Sequence, residues 1–204
     1  MGSLSILRHL GKDKRASSAA EFALVLPLLL LFLFGIIDVG RLMWEWNKAE
    51  KATQAGVRVA VVTDLVPSAL TAYKFTGVTQ GAPVPTSEFP GVYCTGTSSA
   101  ATCTCKATCA FATTAQSAAF NRIVTRMSQI DPRISHANVR IDYDNSGIGF
   151  AGNPYGPDVS PLVTVRLTGM TFQPTLLQLF GASVAMPGFP ATMTLEDGQG
   201  TSWN

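Results

Sequence analysis

Four cysteines form the densest group of residues with potential chemistry in this chain. Cys94, Cys103, Cys105 and Cys109 follow a C-x8-C-x-C-x3-C pattern. Zinc ribbons use paired C-x2-C ligands, which this spacing lacks, and the only nearby His is His136. The better interpretation is two disulfides that staple a loop outside the cytoplasm. Because a bond between Cys103 and Cys105 would be strained, we expect Cys94 to pair with either Cys103 or Cys105.

A second motif resembles part of a calcium loop. The run from Asp142 to Gly147 reads D-Y-D-N-S-G, which matches the first half of a D-x-D-x-S-G loop. The twelfth position is Asn153, where such a loop has a bidentate Glu. Asp-Asn-Ser-Gly is also an ordinary turn sequence after a strand. We therefore expect a turn here, with no metal and no other cofactor.

The sequence carries no recognisable catalytic constellation. It has no H-E-x-x-H, G-x-S-x-G or P-loop motif, and its acidic residues are too sparse for a convincing catalytic pair. The net charge of +2 is mild, and no basic patch is interleaved with aromatic residues. The chain is expected to be neither an enzyme nor a nucleic-acid-binding protein.

The element that must position everything else is an uncharged apolar run from Phe22 to Ile37, entered by Glu21 and left by Asp38. As a helix it spans roughly 24 Å, and a few flanking small residues bring it to the length of a bilayer core of ~30 Å. A cleaved secretory signal is one interpretation, but the run is followed by bulky and charged residues rather than by a small-residue cleavage site. A buried core helix is another, but the run has no polar face. A retained transmembrane helix at 17–40 is favoured.

The orientation of this helix follows from the size of its flanks and from the cysteines. Lys and Arg are similarly frequent on both sides, so their bias alone decides nothing. Residues 1–16 form a short basic leader, too short for a domain, whereas the downstream part is long and holds all four cysteines. We expect the N-terminus in the cytoplasm and the downstream domain outside the membrane.

The start of the apolar run carries a family resemblance. A short basic leader, small residues, Glu-Phe and an unbroken apolar helix resemble the class III signal of type IV pilins. The region resembles more closely the TadE-like pseudopilins of tight adherence (Tad, Flp) pilus systems. The features that match are Ala20-Glu21-Phe22-Ala23-Leu24, Leu26-Pro27, the exit from Phe34 to Arg41, and Ala55-Gly56-Val57-Arg58.

The resemblance implies how the N-terminus is used. A prepilin peptidase would cut between Ala16 and Ser17, where the family usually has Gly before the cut and this chain has Ala16. The new amine of Ser17 would pair with Glu21 of a neighbouring subunit, so that Glu21 and Phe22 set the register between subunits. An unpaired charge in a low-dielectric environment is strongly unfavourable, which is why such a pair matters.

The resemblance also implies a function and partners. The chain would be a minor pilin or pseudopilin that is inserted in the inner membrane, with its C-terminal domain in the periplasm, and that takes part in or primes pilus assembly for adhesion. After assembly it would belong to the extracellular pilus. Its partners would be other pilin subunits, the prepilin peptidase, the inner-membrane assembly platform and membrane lipid. The alternative is a binding module or scaffold that stays tethered to the membrane.

Beyond Asp38 the helix is expected to continue outward as an amphipathic stem at 41–66, ending near Thr63. Apolar and small residues recur there at spacings of three and four, a pattern that favours packing on the chain's own domain over a coiled-coil partner. Trp44 and Trp46 stand where an aromatic belt would lie at the membrane surface.

The remaining chain, 67–204, is expected to form one α+β domain of pilin-like plan. Residues 67–114 are the least regular part and hold the cysteines. A helix is predicted from Thr114 or Gln116 to Ile130, and a short one from Thr175 to Gly181. Strands are predicted around Val139–Tyr143, Val163–Leu167 and Ala191–Leu195, which would make a small antiparallel sheet against which the helices pack.

Overall fold

A computed structural model of the chain describes residues 14–178, 181–196 and 198–202. Most of the predicted leader, 1–13, and the end of the short helix predicted near Thr175 therefore lie outside the described residues. Three helices are described: α1 (Lys14–Val62), α2 (Ser117–Ser128) and α3 (Thr175–Gln178). The strands are β1 (Val92–Thr97), β2 (Ala100–Cys105), β3 (Val139–Asp144), β4 (Leu162–Leu167), β5 (Thr171–Phe172), β6 (Val184–Ala185) and β7 (Phe189–Thr194).

The strands form a five-stranded sheet and a two-stranded ribbon. The order in the larger sheet is β2-β1-β3-β4-β7, and each neighbouring pair is antiparallel. The ribbon pairs β5 with β6. A long N-terminal helix, a second helix and an antiparallel sheet confirm the predicted α+β fold.

α1 is one continuous helix of 49 residues with Pro27 inside it. The described part of the helix begins at Lys14, ahead of Ser17, and its end at Val62 matches the predicted end near Thr63. Proline removes a backbone donor, yet membrane-spanning helices tolerate it because neighbouring helices and local changes in helix geometry satisfy the freed carbonyl. At the C-terminal end, the Thr63 hydroxyl donates to the Val59 carbonyl at 2.8 Å.

The chain divides into two compact units. The described part of the first comprises residues 14–44 together with 173–178 and 181–183. The second comprises residues 45–172 and the described residues from 184 onward.

The core of the second unit lies between one face of the sheet and the two helices. From Ala49 to Ala60 the predicted apolar stripe of α1 is buried, and Trp46 packs edge-on against Phe189 with ring centroids 5.0 Å apart. This burial agrees with packing on the chain's own domain. α2 turns Ala119, Phe120, Ile123, Val124 and Met127 inward, as its 3.6-residue period predicts.

The predicted loop region 67–114 is more structured than expected. Its centre is the hairpin β1–β2, whose Thr, Gly and Cys residues give a weak apolar alternation. Ahead of the hairpin, Phe75 and Phe89 are buried with Phe111 in an aromatic cluster. These aromatic residues are spread over many positions in the least regular part of the sequence and come together only in the fold.

Candidate functional site

The most unusual surface of the described chain is the apolar face of α1 in the first unit. Between Phe22 and Val39 nearly all the large hydrophobic side chains are exposed, with Leu24 at 80% and Phe32 at 74%. Exposed apolar surface on this scale marks a contact with membrane or with another protein. A buried core helix, the alternative raised by the sequence, is ruled out for this segment because none of its most apolar window is buried.

The residues predicted for processing and subunit register lie at the start of this helix. Ala16 and Ser17 are in the first turn of α1, and Glu21 follows one turn later. Glu21 and Phe22 are both exposed, with Phe22 at 65%. The helix therefore presents an acid and an aromatic ring side by side in sequence, at the edge of the apolar surface.

At the other end of the apolar run, Asp38 holds a distant part of the chain. The Thr175 amide donates to both Asp38 carboxylate oxygens at 2.8 and 3.0 Å, and the Thr175 hydroxyl donates to Oδ1 at 2.7 Å. Arg41 Nη1 donates to Asp38 Oδ1 at 3.1 Å and to the Thr175 hydroxyl at 2.7 Å. Asp38 thus supplies the N-terminal cap of α3. The sequence marks Asp38 as a lone acid, but nothing in it points to a partner 137 residues away.

The four cysteines form two disulfides in the second unit, as expected. Cys94 bonds Cys103 across the β1–β2 pair, where the two residues face each other in register. Cys105 bonds Cys109 just after β2. The structure thus selects one of the two pairings that the spacing leaves open.

The calcium-like motif starts on β3, and its two aspartates are paired with cationic side chains. Asp142 is 1% exposed and faces away from the helices, and its carboxylate accepts from Arg140 at 2.8 Å and from Arg166 at 3.0 Å. Lys106 Nζ lies 3.1 Å from Asp142 and 2.6 Å from Asp144. Burial alone would raise the Asp142 pKa, but the hydrogen bonds from Arg140 and Lys106 leave it below its ordinary value. We call Asp142, Lys106, Arg140 and Arg166 the Asp142 cluster.

Two further buried carboxylates join segments of the second unit. Asp131, after α2, accepts from Arg133 Nη2 at 2.8 Å, and the same guanidinium donates to Glu45 of α1 at 2.7 Å. Asp158 accepts from the amides of Phe75 and Gly152 at 2.9 and 3.0 Å. Burial raises the pKa of each carboxyl, but these hydrogen bonds outweigh it, so that both pKa values lie below the ordinary range.

The buried carboxylates of Asp131, Asp142 and Asp158 are hydrogen-bonded to cationic side chains and backbone amides of the same fold. Within the part of the chain that the structure describes, no group of three His, Cys, Asp or Glu side chains could hold a metal ion. The buried carboxylates are paired with cations or amides of their own fold, which suits a structural role.

Taken together, the first unit and the disulfide-bonded second unit define an α+β protein carrying one helix whose length and composition suffice to cross a membrane. Residues 16–58 match the family model of the TadE-like protein. The match confirms the resemblance to TadE-like proteins over this segment. Neither the curated proteins nor the solved structures give a match.

Proposed function

We propose that this protein is a minor pilin or pseudopilin of a Tad pilus, held in the inner membrane until it takes part in or primes pilus assembly for adhesion. The observation that carries the proposal is the exposed apolar face of α1 within the TadE-like match at 16–58. An apolar helix surface of this kind can lie in lipid before assembly and against other pilin helices after it.

The proposed topology has the leader 1–16 in the cytoplasm, the transmembrane helix at 17–40 and the stem at 41–66. The domain at 67–204 then lies in the periplasm. The disulfides Cys94–Cys103 and Cys105–Cys109 support this orientation, because such bonds persist in oxidising compartments and are rare in the cytoplasm.

The proposed processing removes the leader between Ala16 and Ser17. The released amine of Ser17 then pairs with Glu21 of a neighbouring subunit, with Phe22 packing beside it. Apolar residues flank Glu21 in the sequence and support this role, because an assembled helix bundle would exclude water and a carboxylate without a counter-charge would be costly there. The partners are other pilin subunits, the prepilin peptidase, the inner-membrane assembly platform and membrane lipid.

A variant of Glu21 tests this role. Glu21→Ala is expected to remain in the membrane fraction but to fall at least about tenfold in the sheared pilus fraction, because the neighbouring amine loses its partner. Immunodetection of both fractions from the native cell measures this ratio.

The control removes a carboxylate of the same type elsewhere. Glu196 is exposed on the second unit, outside the TadE-like match, so that Glu196→Ala should enter pili like the unmodified chain. Normal entry of Glu21→Ala into pili would rule out the subunit-register role.

A permanently tethered envelope scaffold is the second candidate. The observation that favours it is Ala16, which stands where the family usually has Gly before the cut. A chain that keeps its leader would remain anchored and would act as a binding module or scaffold at the membrane.

A further inference from the structure

Asp38, in the first unit, is a charged residue that the fold has largely covered. It is the first charged residue after the apolar run, and its side chain is only 13% exposed. The cause is the segment that begins at Thr175, whose amide and hydroxyl both donate to its carboxylate. A carboxylate at the end of the apolar run is thus used to hold another part of the chain in place.

The segment that Asp38 holds has hydrogen bonds between its own backbone groups. The Gln178 amide donates to the Pro174 carbonyl at 2.9 Å. The Gly181 amide then donates to Gln178 and the Ala182 amide to Leu177, both at 3.0 Å, while Gly181 has a φ of +69°. These bonds join Gly181 and Ala182 to the described end of α3, with glycine in the left-handed conformation that it adopts without strain.

This segment presents apolar surface without charge. Residues 173–183 contain no Asp, Glu, Lys or Arg. Leu177 is 45% exposed, and its carbonyl accepts a hydrogen bond from the Ala182 amide. We call Pro174–Gln178 with Gly181 and Ala182 the Asp38-held segment.

The height of the segment along α1 follows from its attachment. Ile36 and Ile37, 60% and 46% exposed, are the last residues of the apolar run, and Trp44 is exposed about 9 Å beyond Asp38 along the helix axis. Leu177 is two residues after Thr175, which corresponds to a rise of about 3 Å along a helix. The Asp38-held segment therefore lies level with the boundary between apolar run and polar stem.

We propose that the Asp38-held segment is a membrane-surface contact, seated at the boundary between lipid headgroups and acyl chains with Leu177 directed into the lipid. The proposal rests on insertion of α1 as part of the proposed function. Its occupant is the bilayer because Thr175 is bonded to Asp38, which holds the segment at the level where the exposed apolar surface of α1 ends. Uncharged polar groups and an aliphatic side chain suit this boundary, where apolar residues bury ~5–10 Å deep.

In this role the segment limits how far α1 moves along the membrane normal. Asp38 alone would mark the end of the run by its charge. With the segment attached, a second and broader element rests on the same lipid surface, so that depth is fixed by two contacts.

Spin labelling of the full chain in nanodiscs of phosphatidylethanolamine and phosphatidylglycerol tests the proposal. The native cysteines are paired in disulfides, so a single new thiol at Leu177→Cys can carry the nitroxide. We expect its accessibility to oxygen relative to a nickel chelate to exceed clearly that of a label at Tyr155→Cys, because oxygen concentrates in lipid and the charged or polar chelate does not enter it. Tyr155 is 98% exposed in the second unit and serves as the aqueous control.

A label at Leu28→Cys, in the middle of the apolar run, separates insertion of α1 from the surface contact. If Leu28 is in lipid and Leu177 is as accessible to nickel as Tyr155, the surface contact is wrong and insertion of α1 stands. If Leu28 itself is accessible to nickel, insertion fails and the surface contact fails with it.

Asp38→Ala removes the carboxylate that accepts from the Thr175 amide and hydroxyl, and leaves Leu177 unchanged. It should make the Leu177 label mobile and accessible to nickel while the Leu28 label keeps its lipid signal. A Leu177 label that remains lipid-exposed in Asp38→Ala would show that the attachment does not position the segment, and would overturn that part of the proposal.

Discussion

Asp142 lies on the outer face of the sheet and is nevertheless almost completely buried. Its register neighbours are Tyr93 on β1 and Thr164 on β4, and the side chains of Arg140, Arg166 and Lys106 cover it. Arg140 also lies over the Tyr93 ring at 4.1 Å from its centroid, a favourable cation–π distance. The Asp142 cluster thus ties β1, β3, β4 and the end of β2 together from the side opposite the helices.

Replacing Asp142 tests how much this cluster contributes. Asp142→Asn is expected to lower the free energy of unfolding by about 2 kcal/mol, because a buried charged acceptor of several hydrogen bonds is lost while the half-exposed cations can still reach water. Denaturant unfolding of the full chain in detergent micelles, followed by near-ultraviolet circular dichroism, measures it.

The matched control is Asp144→Asn, two residues along the same strand. Asp144 is 36% exposed and pairs with Lys106, so its loss should cost at most about 0.5 kcal/mol. Equal effects of the two substitutions would mean that burial of Asp142 adds nothing to stability.

Acid sensitivity is expected from the three buried carboxylates. Asp131, Asp142 and Asp158 have pKa values below their ordinary range, so the folded state binds fewer protons than the unfolded state at mildly acidic pH. Their contribution is complete above the ordinary carboxyl pKa of about 4 and is lost as pH falls through the lower folded values. Thermal midpoints of the full chain in micelles should stay level from about pH 7 to 5 and fall towards pH 3. A midpoint that stays constant or rises over that range would contradict this assignment.

Among the elements, α1 and α2 approach each other closely at Gly56. A Cβ at this position would lie 2.8 Å from both Cγ and Sδ of Met127 and 3.4 Å from Val165 Cγ1. Gly56 is costly for helix formation, and its use here is explained by the side chains that occupy the space next to it.

Gly56→Leu is therefore expected to destabilise the fold by about 1–3 kcal/mol through overpacking. Gly40 is in the same helix, and a Cβ added there would meet no atom within 4 Å, so Gly40→Leu should be neutral or stabilising by up to about 0.8 kcal/mol through helix propensity. Denaturant midpoints of the two variants give the comparison. A Gly56→Leu chain as stable as Gly40→Leu would show that the helices separate without cost.

Elements with a clear period can be predicted from the sequence, and those without one cannot. α2 has five apolar residues at helical spacing, and β3 alternates apolar and polar residues, so the predicted limits of both lie close to the observed ones. The β1–β2 hairpin has no such signal because its strands are rich in Thr, Gly, Ala and Cys, and their pairing depends on the Cys94–Cys103 bond and on β3 alongside. Cross-strand partners supply what these residues lack in intrinsic preference.

The residues of the candidate site also differ in how far the sequence predicts them. Glu21 and the apolar run are local features of 16–58 and are recognisable from neighbouring residues. The Thr175 hydroxyl donates to Asp38 across a long separation in sequence. Asp and Thr are each common near helix ends, so neither residue indicates the other as its partner. Contacts of that kind follow from the tertiary fold and leave no local pattern.

At the scale of the whole molecule, one helix has two different surroundings. From Phe22 to Ile37 most side chains of α1 are apolar and exposed, whereas from Ala49 to Val61 one face of the helix is part of a folded core. The first half suits lipid or apolar helices of other proteins, and the second fixes the helix to a domain stapled by two disulfides. We interpret this combination as an anchor that can leave the membrane while remaining attached to a stable domain.

We propose that this anchor is processed for release into a pilus, and the first residue of the mature chain is the sharpest test of that processing. Intact-mass measurement of the protein isolated from its native cell, with the disulfides oxidised, identifies the first residue. We expect a chain that begins at Ser17, cut after Ala16 and carrying the free amine that pairs with Glu21. A chain that begins at Met1 in cells bearing assembled pili would contradict release and would establish the protein as a permanent membrane tether.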